Sequence, residues 1–97
     1  MNKRSIGKFN KKSIALKYEK EKDIAPKLIS KGKGKEAEKI LKMADDYDIP
    51  VITDSNLTDN LYQLSINENI PEELFEIIAT IYSFVMRKKE NKNEKED

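Results

Sequence analysis

The residues of this sequence that could do chemistry are lysines, carboxylates and hydroxyls. The chain of 97 residues contains neither Cys nor His. This excludes disulfides, thiol nucleophiles, histidine general bases and zinc sites built on Cys or His. The composition therefore favours a binding or interaction module over an enzyme, and we expect no catalytic residue, no metal and no cofactor.

The stretch Lys31-Gly32-Lys33-Gly34 is the candidate for an anion site. It precedes a helical pattern, and glycines there let backbone amides approach a phosphate at the positive end of a helix. Its spacing matches neither a dinucleotide-binding fingerprint nor a Walker loop. A flexible strand-to-helix turn is the favoured interpretation.

Two groups of acidic residues are the other chemical candidates: Asp45, Asp46, Asp48 and Asp54, and Glu72, Glu73 and Glu76. The first group lacks the alternating ligands, turn glycine and distal Glu of a calcium loop. The second falls in a predicted first helical turn, where the helix dipole favours negative charge. A solvated helix end explains the first group, and helix capping explains the second.

The elements that would carry these residues begin with strands. Ile14, Leu16 and Tyr18 alternate with polar or small residues, which predicts a strand with one buried face. A second short strand is predicted at Lys27–Ser30 and a third at Ile49–Ile52, with Pro50 at its start because proline cannot donate to a ladder.

Three helices are predicted from apolar residues at helical spacing. The first runs from about Gly34 to Tyr47, with Ala37, Ile40, Leu41, Ala44 and Tyr47 on one face. Asp54 or Ser55 caps the second, which carries Leu57, Leu61 and Leu64. The third follows Pro71 and is the most apolar, with Leu74, Ile77, Ile78, Ile81, Tyr82 and Val85 along it.

The predicted fold class is α/β. We expect a small mixed sheet of three to four short strands covered by three helices, in the order strand-strand-helix-strand-helix-helix. A right-handed parallel crossover would join Leu28 to Ile52. The expected organisation is a basic flexible arm at 1–12, one domain at 13–86, and a charged tail at 87–97 that is disordered or a frayed helix end.

Charge is divided unevenly along the chain, although the net charge is only +1. Residues 1–35 hold twelve Lys and Arg against three acids, and residues 36–86 hold two Lys against eleven acids. A basic first third could bind nucleic acid or an anionic surface, or could lie against the acidic helices of the same chain. Aromatic residues are not interleaved with the lysines, which disfavours nucleic acid.

The length and composition also bound the location and assembly of the protein. No apolar run is long enough to span a bilayer, and Met1–Lys12 lacks the apolar region of a secretory signal. We therefore expect a cytoplasmic protein with no membrane span. The small apolar content, 37% of residues, favours a monomer.

Several motifs in a fixed order resemble a known family. Ile14-Ala15-Leu16-Lys17-Tyr18 is followed by Ala25-Pro26-Lys27 and Ser30-Lys31-Gly32, then by Ile49-Pro50-Val51-Ile52 and Ile70-Pro71-Glu72-Glu73-Leu74-Phe75. This pattern resembles the cytoplasmic C-terminal domain of the FlhB, YscU, SpaS and EscU type III export switch proteins. The resemblance covers about residues 13–86.

The sequence departs from the family at the cleavage motif. Its members cleave themselves at an Asn-Pro-Thr-His motif just before the first strand. Counting back from the matched Ala-Leu-Lys-Tyr, those positions are Lys8, Phe9, Asn10 and Lys11. The cyclising Asn is replaced by Lys8, so the sequence is similar to free-standing FlhB-like proteins, and we expect no autocleavage.

The family's role implies binding residues in this chain. Its cytoplasmic domain takes part in recognising export substrates and in switching from rod and hook proteins to filament proteins. An apolar patch implicated in docking corresponds here to Ala25, Pro26, Ala79 and Tyr82, with Tyr82 where aliphatic residues are usual. An ordinary loop that positions the second strand is the other explanation of Ala25-Pro26.

The expected function is a non-catalytic interaction module of the flagellar or type III export apparatus. Its partners would be flagellar export substrates or export-gate proteins, with no small-molecule substrate, and it could associate with the membrane export apparatus. The alternative is a small nucleic-acid- or anion-binding domain that uses the basic N-terminal third.

Overall fold

The protein consists of two strands and three helices in the part of the chain that the structure describes. The computed structural model describes residues 11–96. In chain order the elements are β1 (Lys12–Lys17), β2 (Lys27–Lys33), α1 (Lys35–Asp46), α2 (Ser55–Tyr62), a 3-10 turn (Glu72–Leu74) and α3 (Phe75–Glu96). The strands form a two-stranded antiparallel sheet.

The predicted mixed sheet of three to four strands is therefore wrong for the described residues. Ile49–Ile52 has β-forming side chains but forms no strand, and the expected parallel crossover to it is absent. A strand exists only where a neighbouring backbone accepts and donates its hydrogen bonds, and Pro50 has no N–H to give. Within residues 11–96, the segment makes a backbone hydrogen bond only through its first residue, from the Ile49 N–H to the Ala44 carbonyl at 2.8 Å.

A different segment lies against the free end of β2. The Leu28 N–H donates to the Glu68 carbonyl at 2.9 Å, and the Ile70 N–H donates to the Pro26 carbonyl at 2.9 Å. Lys27 and Asn69 form an isolated antiparallel bridge. The segment between α2 and the 3-10 turn thus contributes backbone pairing to the sheet, although the paired stretch is too short to count as a strand.

The two strands pair with one irregularity. Ala15 lies opposite Ser30 and Leu16 lies opposite Leu28, so Ile29 has no partner in β1 and forms a bulge. A bulge locally increases the twist of a ladder. The strand predicted from Ile14 and Leu16 is confirmed, and both side chains pack against the core.

The core lies between the sheet and the helices α2 and α3. Leu28 is fully buried, and the main cluster contains Ala25, Leu61, Ile70 and Ile78. These residues come from the loop before β2, from α2, from the segment after it and from α3. The cluster therefore joins every part of the chain that approaches this face of the sheet.

Helix α1 covers the opposite part of the sheet at very close range. The Ser13 hydroxyl of β1 donates to the Ala37 carbonyl at 3.0 Å in a buried position. Gly32 of β2 is buried, and a Cβ atom there would lie 2.8 Å from the backbone carbonyl carbon of Glu36. The first glycine of the Lys-Gly-Lys-Gly motif, Gly32, therefore permits the close approach of α1 to the sheet.

The end of α1 turns the chain through a left-handed residue. Asp48 has φ 57°, the Asp48 N–H donates to the Asp45 carbonyl, and the Ile49 N–H donates to the Ala44 carbonyl. These bonds are those of a Schellman motif with Asp in the position that usually holds Gly. The turn directs Ile49 and the residues after it away from the helix, and Tyr47, which we placed on the apolar face, is largely exposed.

Replacing Gly32 should test the close contact between α1 and the sheet. We expect Gly32→Ala to lower the free energy of unfolding by about 1–3 kcal/mol, because the added methyl group meets backbone rather than a flexible side chain. Urea unfolding followed by circular dichroism measures this. The exposed neighbour supplies the control, since Lys33→Ala should change the free energy by less than about 0.5 kcal/mol. Equal effects of the two substitutions would contradict the packing argument.

Candidate docking groove

The loop between β1 and β2 delivers Ala25 and Pro26 to the surface. It folds on itself, because the Glu19 N–H donates to the Asp23 carboxylate at 2.8 Å and the Asp23 N–H donates to the Glu19 carbonyl at 2.8 Å. Asp23 also lies 3.7 Å from the Lys27 ammonium. The run of charged residues thus forms a compact turn that ends just before the apolar Ile24-Ala25-Pro26.

Backbone pairing places this loop beside helix α3. The bond from the Ile70 N–H to the Pro26 carbonyl fixes the chain one residue before Pro71. The 3-10 turn and α3 follow directly, with the Leu74 N–H donating to the Pro71 carbonyl at 3.0 Å. The start of α3 is therefore positioned by the same residues that begin β2.

An apolar groove of about 450 Å³ lies between the loop and α3. Its lining comes from two stretches of chain: Tyr18, Lys20, Ile24, Ala25 and Pro26, and Phe75, Ile78, Ala79, Tyr82 and Met86. Ala25 and Ile78 are buried at its base, whereas Ile24 is 91% exposed at its rim. The Tyr18 and Tyr82 rings are tilted by 45° with centroids 6.0 Å apart.

The groove brings together the four residues that the resemblance implied for docking. Ala25, Pro26, Ala79 and Tyr82 all line it. Of the four positions of the lost cleavage motif, Lys8, Phe9 and Asn10 lie outside the described residues. Lys11 is exposed, and its carbonyl accepts a bond of 2.8 Å from the Gly34 N–H.

Sequence reasoning missed about half of the lining. Tyr18 was assigned to a strand face and Ile78 to an apolar helix, and Phe75 was named only within a motif of the family. Ile24 carried a usable signal, because it is a large apolar residue at the end of a fully charged run and next to Ala-Pro. Met86 carried no such signal, since its position beside the loop depends on the path of α3.

The family of the chain is decided by comparison with known proteins. Residues 10–85 match the model of the FlhB HrpN YscU SpaS family. The chain belongs to this family. The resemblance found in the sequence motifs is therefore confirmed.

Relatives of the chain differ greatly in length. An uncharacterized protein of Bacillus subtilis, YlqH, is 38% identical over 86 residues, which cover 88% of this chain and 92% of that protein. The flagellar biosynthetic protein FlhB of Aquifex aeolicus is 41% identical over 78 residues, or 79% of this chain but 22% of that protein. The chain thus spans about a fifth of the length of the FlhB proteins that it matches.

Solved structures support the same assignment. A mutated EscU/SpaS C-terminal domain superposes with a TM-score of 0.75 at 34% identity, covering 78% of this chain and 95% of that domain. The PscU C-terminal domain has a TM-score of 0.71 at 20% identity, which supports the fold alone. The described part of this chain therefore has the architecture of the C-terminal domains of the family.

Two lysines of the basic first third, Lys12 and Lys31, contact helix α2 in this family member. The Lys31 ammonium donates to the Tyr62 and Leu64 carbonyls at 2.9 and 2.8 Å, at the negative end of α2. The Lys12 ammonium lies 3.1 Å from the Asp59 carboxylate, and both ammonium groups lie within 5.3 Å of the Tyr62 ring centroid. Lys12 and Lys31 therefore fasten α2 to the sheet.

The groove has the chemistry of a recognition surface. Its lining offers apolar contact area, three aromatic rings and the Lys20 ammonium. No cluster of three acidic side chains that could hold a metal ion occurs within residues 11–96. None of the helices described is both long enough and apolar enough to cross a membrane. An apolar groove with a few polar groups suits an apolar segment of another molecule.

Burial at the groove changes the acidity of one tyrosine. Partial burial of Tyr82 raises the pKa of its hydroxyl above the ordinary value of about 10, because desolvation disfavours the phenolate. The group is therefore neutral across the physiological range and presents a hydrogen-bonding hydroxyl at the end of an apolar surface.

The raised pKa of Tyr82 predicts a loss of stability at high pH. A raised folded-state pKa stabilises fully below the unfolded pKa of about 10, and this stabilisation is lost as pH rises through the folded-state pKa. The wild type should lose more unfolding free energy above about pH 10 than Tyr82→Phe does, and the two should run parallel between about pH 7 and 9. Urea unfolding across this pH range measures the difference.

A second tyrosine provides the control for that experiment. Tyr47 is 73% exposed, so Tyr47→Phe should retain the loss of stability seen in the wild type. If Tyr82→Phe and Tyr47→Phe behaved alike, burial of the Tyr82 hydroxyl could not be the cause.

Proposed function

We propose that the protein is a non-catalytic interaction module of the flagellar or type III export apparatus. Its groove binds an apolar segment of an export substrate or of an export-gate component. The supporting observation is that Ala25, Pro26, Ala79 and Tyr82, which lie far apart in sequence, line one apolar groove. Membership of the FlhB family supplies the export context.

The exposed apolar side chains of the groove support binding rather than packing. Ile24, Phe75 and Met86 are all exposed, and each lines the groove. Covering such a surface with a partner removes apolar area from water, which is the main favourable term in association. Tyr18 and Tyr82 add large rings that lose little conformational entropy on binding.

Specificity in the groove would come from its few polar groups. The lining is apolar apart from the Tyr18 and Tyr82 hydroxyls and the Lys20 ammonium. A ligand that leaves the Tyr82 hydroxyl without a partner loses the hydrogen bond that water supplied. A Tyr at this position therefore selects against some segments that an aliphatic residue would accept.

A pair of neighbouring substitutions on α3 tests the groove directly. Ala79→Asp puts a carboxylate into the lining, whereas Thr80→Asp puts the same charge on an exposed position outside it. We expect Ala79→Asp to weaken binding of purified rod or hook proteins by about tenfold or more, because the charge must be desolvated. Thr80→Asp should stay within about twofold of the wild type.

Isothermal titration calorimetry with each purified partner supplies the affinities. Absence of binding by the wild type, or equal weakening by both variants, would overturn the proposed site. A titration of the same chain with an oligonucleotide at increasing salt separates the alternative function. The affinity of nucleic-acid binding through the basic third would fall steeply with salt and would be unchanged by Ala79→Asp.

We propose further that the chain does not cleave itself. Cleavage in the Asn-Pro-Thr-His motif begins with attack of the Asn side-chain amide on its own backbone carbonyl. Lys8 stands at the Asn position and has no side-chain amide, and Phe9 stands at the Pro position. The residue whose side chain would start the reaction is therefore absent from its position.

Mass spectrometry of the purified chain checks the absence of cleavage. We expect the intact mass of 11.3 kDa to persist after prolonged incubation at neutral and alkaline pH. A fragment that begins at Phe9 would contradict the proposal. Cleavage at another position that protease inhibitors prevent would indicate a contaminating protease and would agree with the absence of self-cleavage.

A further inference from the structure

The outward side of α3 carries a second exposed apolar surface. Among the side chains described at 75–87, Ile78 alone is buried, whereas Ile77 and Phe84 are 50% and 51% exposed. Residues 77–86 contain no charged residue, and eight of the ten are apolar. A helix that is apolar on all sides is typical of one that is covered on all sides. The composition of the whole chain favours a monomer, but this concentration of exposed apolar residues favours contact with another molecule.

The exposed residues of this surface follow one line along the helix. Glu73, Ile77, Thr80, Phe84 and Arg87 are spaced by four, three, four and three residues, and all five are exposed. Residues three and four apart lie on the same face of a helix, so the five form a stripe, here called the α3 stripe. Its first member lies in the 3-10 turn that leads directly into α3. None of the five lines the groove, which lies along a different side of the helix.

The charges around the α3 stripe are divided between its two ends. Residues 72–76 contain three Glu and no Lys or Arg, and residues 87–89 are all basic. Within the stripe itself, Glu73 and Arg87 stand seven residues before and seven residues after Thr80. An apolar middle is therefore flanked by negative charge at one end and by positive charge at the other.

This arrangement is complementary to itself. If two copies of α3 run antiparallel across a two-fold axis at Thr80, each residue meets the one equally far on the other side of the axis. Glu73 of one copy then lies opposite Arg87 of the other, and Ile77 lies beside Phe84. A parallel arrangement would bring like charges together at both ends, which disfavours it. The antiparallel arrangement also brings opposite ends of the two helix dipoles together.

We propose that two copies of this chain associate through the α3 stripe as an antiparallel pair with two-fold symmetry. The short side chain of Thr80 at the crossing point permits the distance of about 8–10 Å at which packed helices cross. Ile77 and Phe84 bury apolar area in the contact, and Glu73 and Arg87 pair at its two ends. A contact limited to one helix is small for a protein interface, so the dimer dissociates on dilution. The pairing is independent of the function proposed for the groove.

Sedimentation equilibrium of the full chain measures this association. The weight-average mass should rise from the monomer value of 11.3 kDa toward twice that value between about 10 μM and about 1 mM protein. Glu73→Arg and Arg87→Glu, each alone, should raise the dissociation constant by about fivefold or more, because like charges then meet at both ends of the pair. A wild-type mass that stays at the monomer value over the whole range would overturn the proposal.

Two combinations of these variants should restore the association. The double variant, Glu73→Arg with Arg87→Glu, exchanges the two charges and should return the dissociation constant to within about twofold of the wild type. An equimolar mixture of the two single variants should associate at least as tightly as the wild type, because opposite charges then meet at both ends. The double variant places both charges unfavourably for the helix dipole, so its recovery cannot come from a more stable helix. Single variants that associate as the wild type does would contradict antiparallel pairing.

Two neighbouring substitutions on α3 separate the stripe from the groove. Thr80→Asp brings two carboxylates together at the two-fold axis and should abolish association, whereas Ala79→Asp, on the groove side, should leave it unchanged. The opposite order is expected for the binding of export proteins, so each proposal can fail without the other. Association that survives Thr80→Asp and is lost in Ala79→Asp would make the groove the contact between copies and would overturn the proposed stripe.

Discussion

The structure depends on the backbone pairing between the start of β2 and the segment that precedes α3. Leu28, a fully buried residue, donates its N–H to the Glu68 carbonyl and accepts from the Asn67 N–H. Pro26 accepts from the Ile70 N–H two residues away. Buried backbone groups must be paired, so this alignment is strongly specified. It brings α3 beside the loop that follows β1 and thereby creates both walls of the groove.

The fold uses charge to hold elements that a small core could not hold alone. A domain of this size buries a modest fraction of its surface and has marginal stability. The Lys31 ammonium donates hydrogen bonds to two carbonyls at the end of α2. The Lys12 and Lys31 ammonium groups also make cation–π contacts with the Tyr62 ring. Charge-assisted hydrogen bonds to a helix end are stronger than neutral ones. The basic strands are therefore partly structural.

The groove is framed by a loop in which charged residues pair with one another, such as Asp23 with Lys27. Its lining is mostly apolar, with Lys20 as the one charged residue among those that line it. Such a lining favours a partner recognised mainly by shape and apolar contact.

The sequence by itself determined the elements whose signals are local. Alternation identified β1, and helical spacing identified α1 and α3. Asp54 was one of the two residues proposed to cap α2, and it forms that cap. Ordered motifs also revealed the family, because they report common descent rather than contacts. These signals depend on the chemistry of neighbouring residues, which the sequence states directly.

Only the tertiary structure decided which extended segments pair. Ile49–Ile52 has the composition of a strand but no described partner, whereas the polar stretch at 67–70 pairs with β2. Ladder hydrogen bonds join backbone groups, so the side-chain pattern does not reveal them. The full lining of the groove was likewise hidden, because Tyr18 and Met86 come to the same groove only through the position of α3 beside the loop. Distant contacts of this kind arise from the fold as a whole, and no local pattern encodes them.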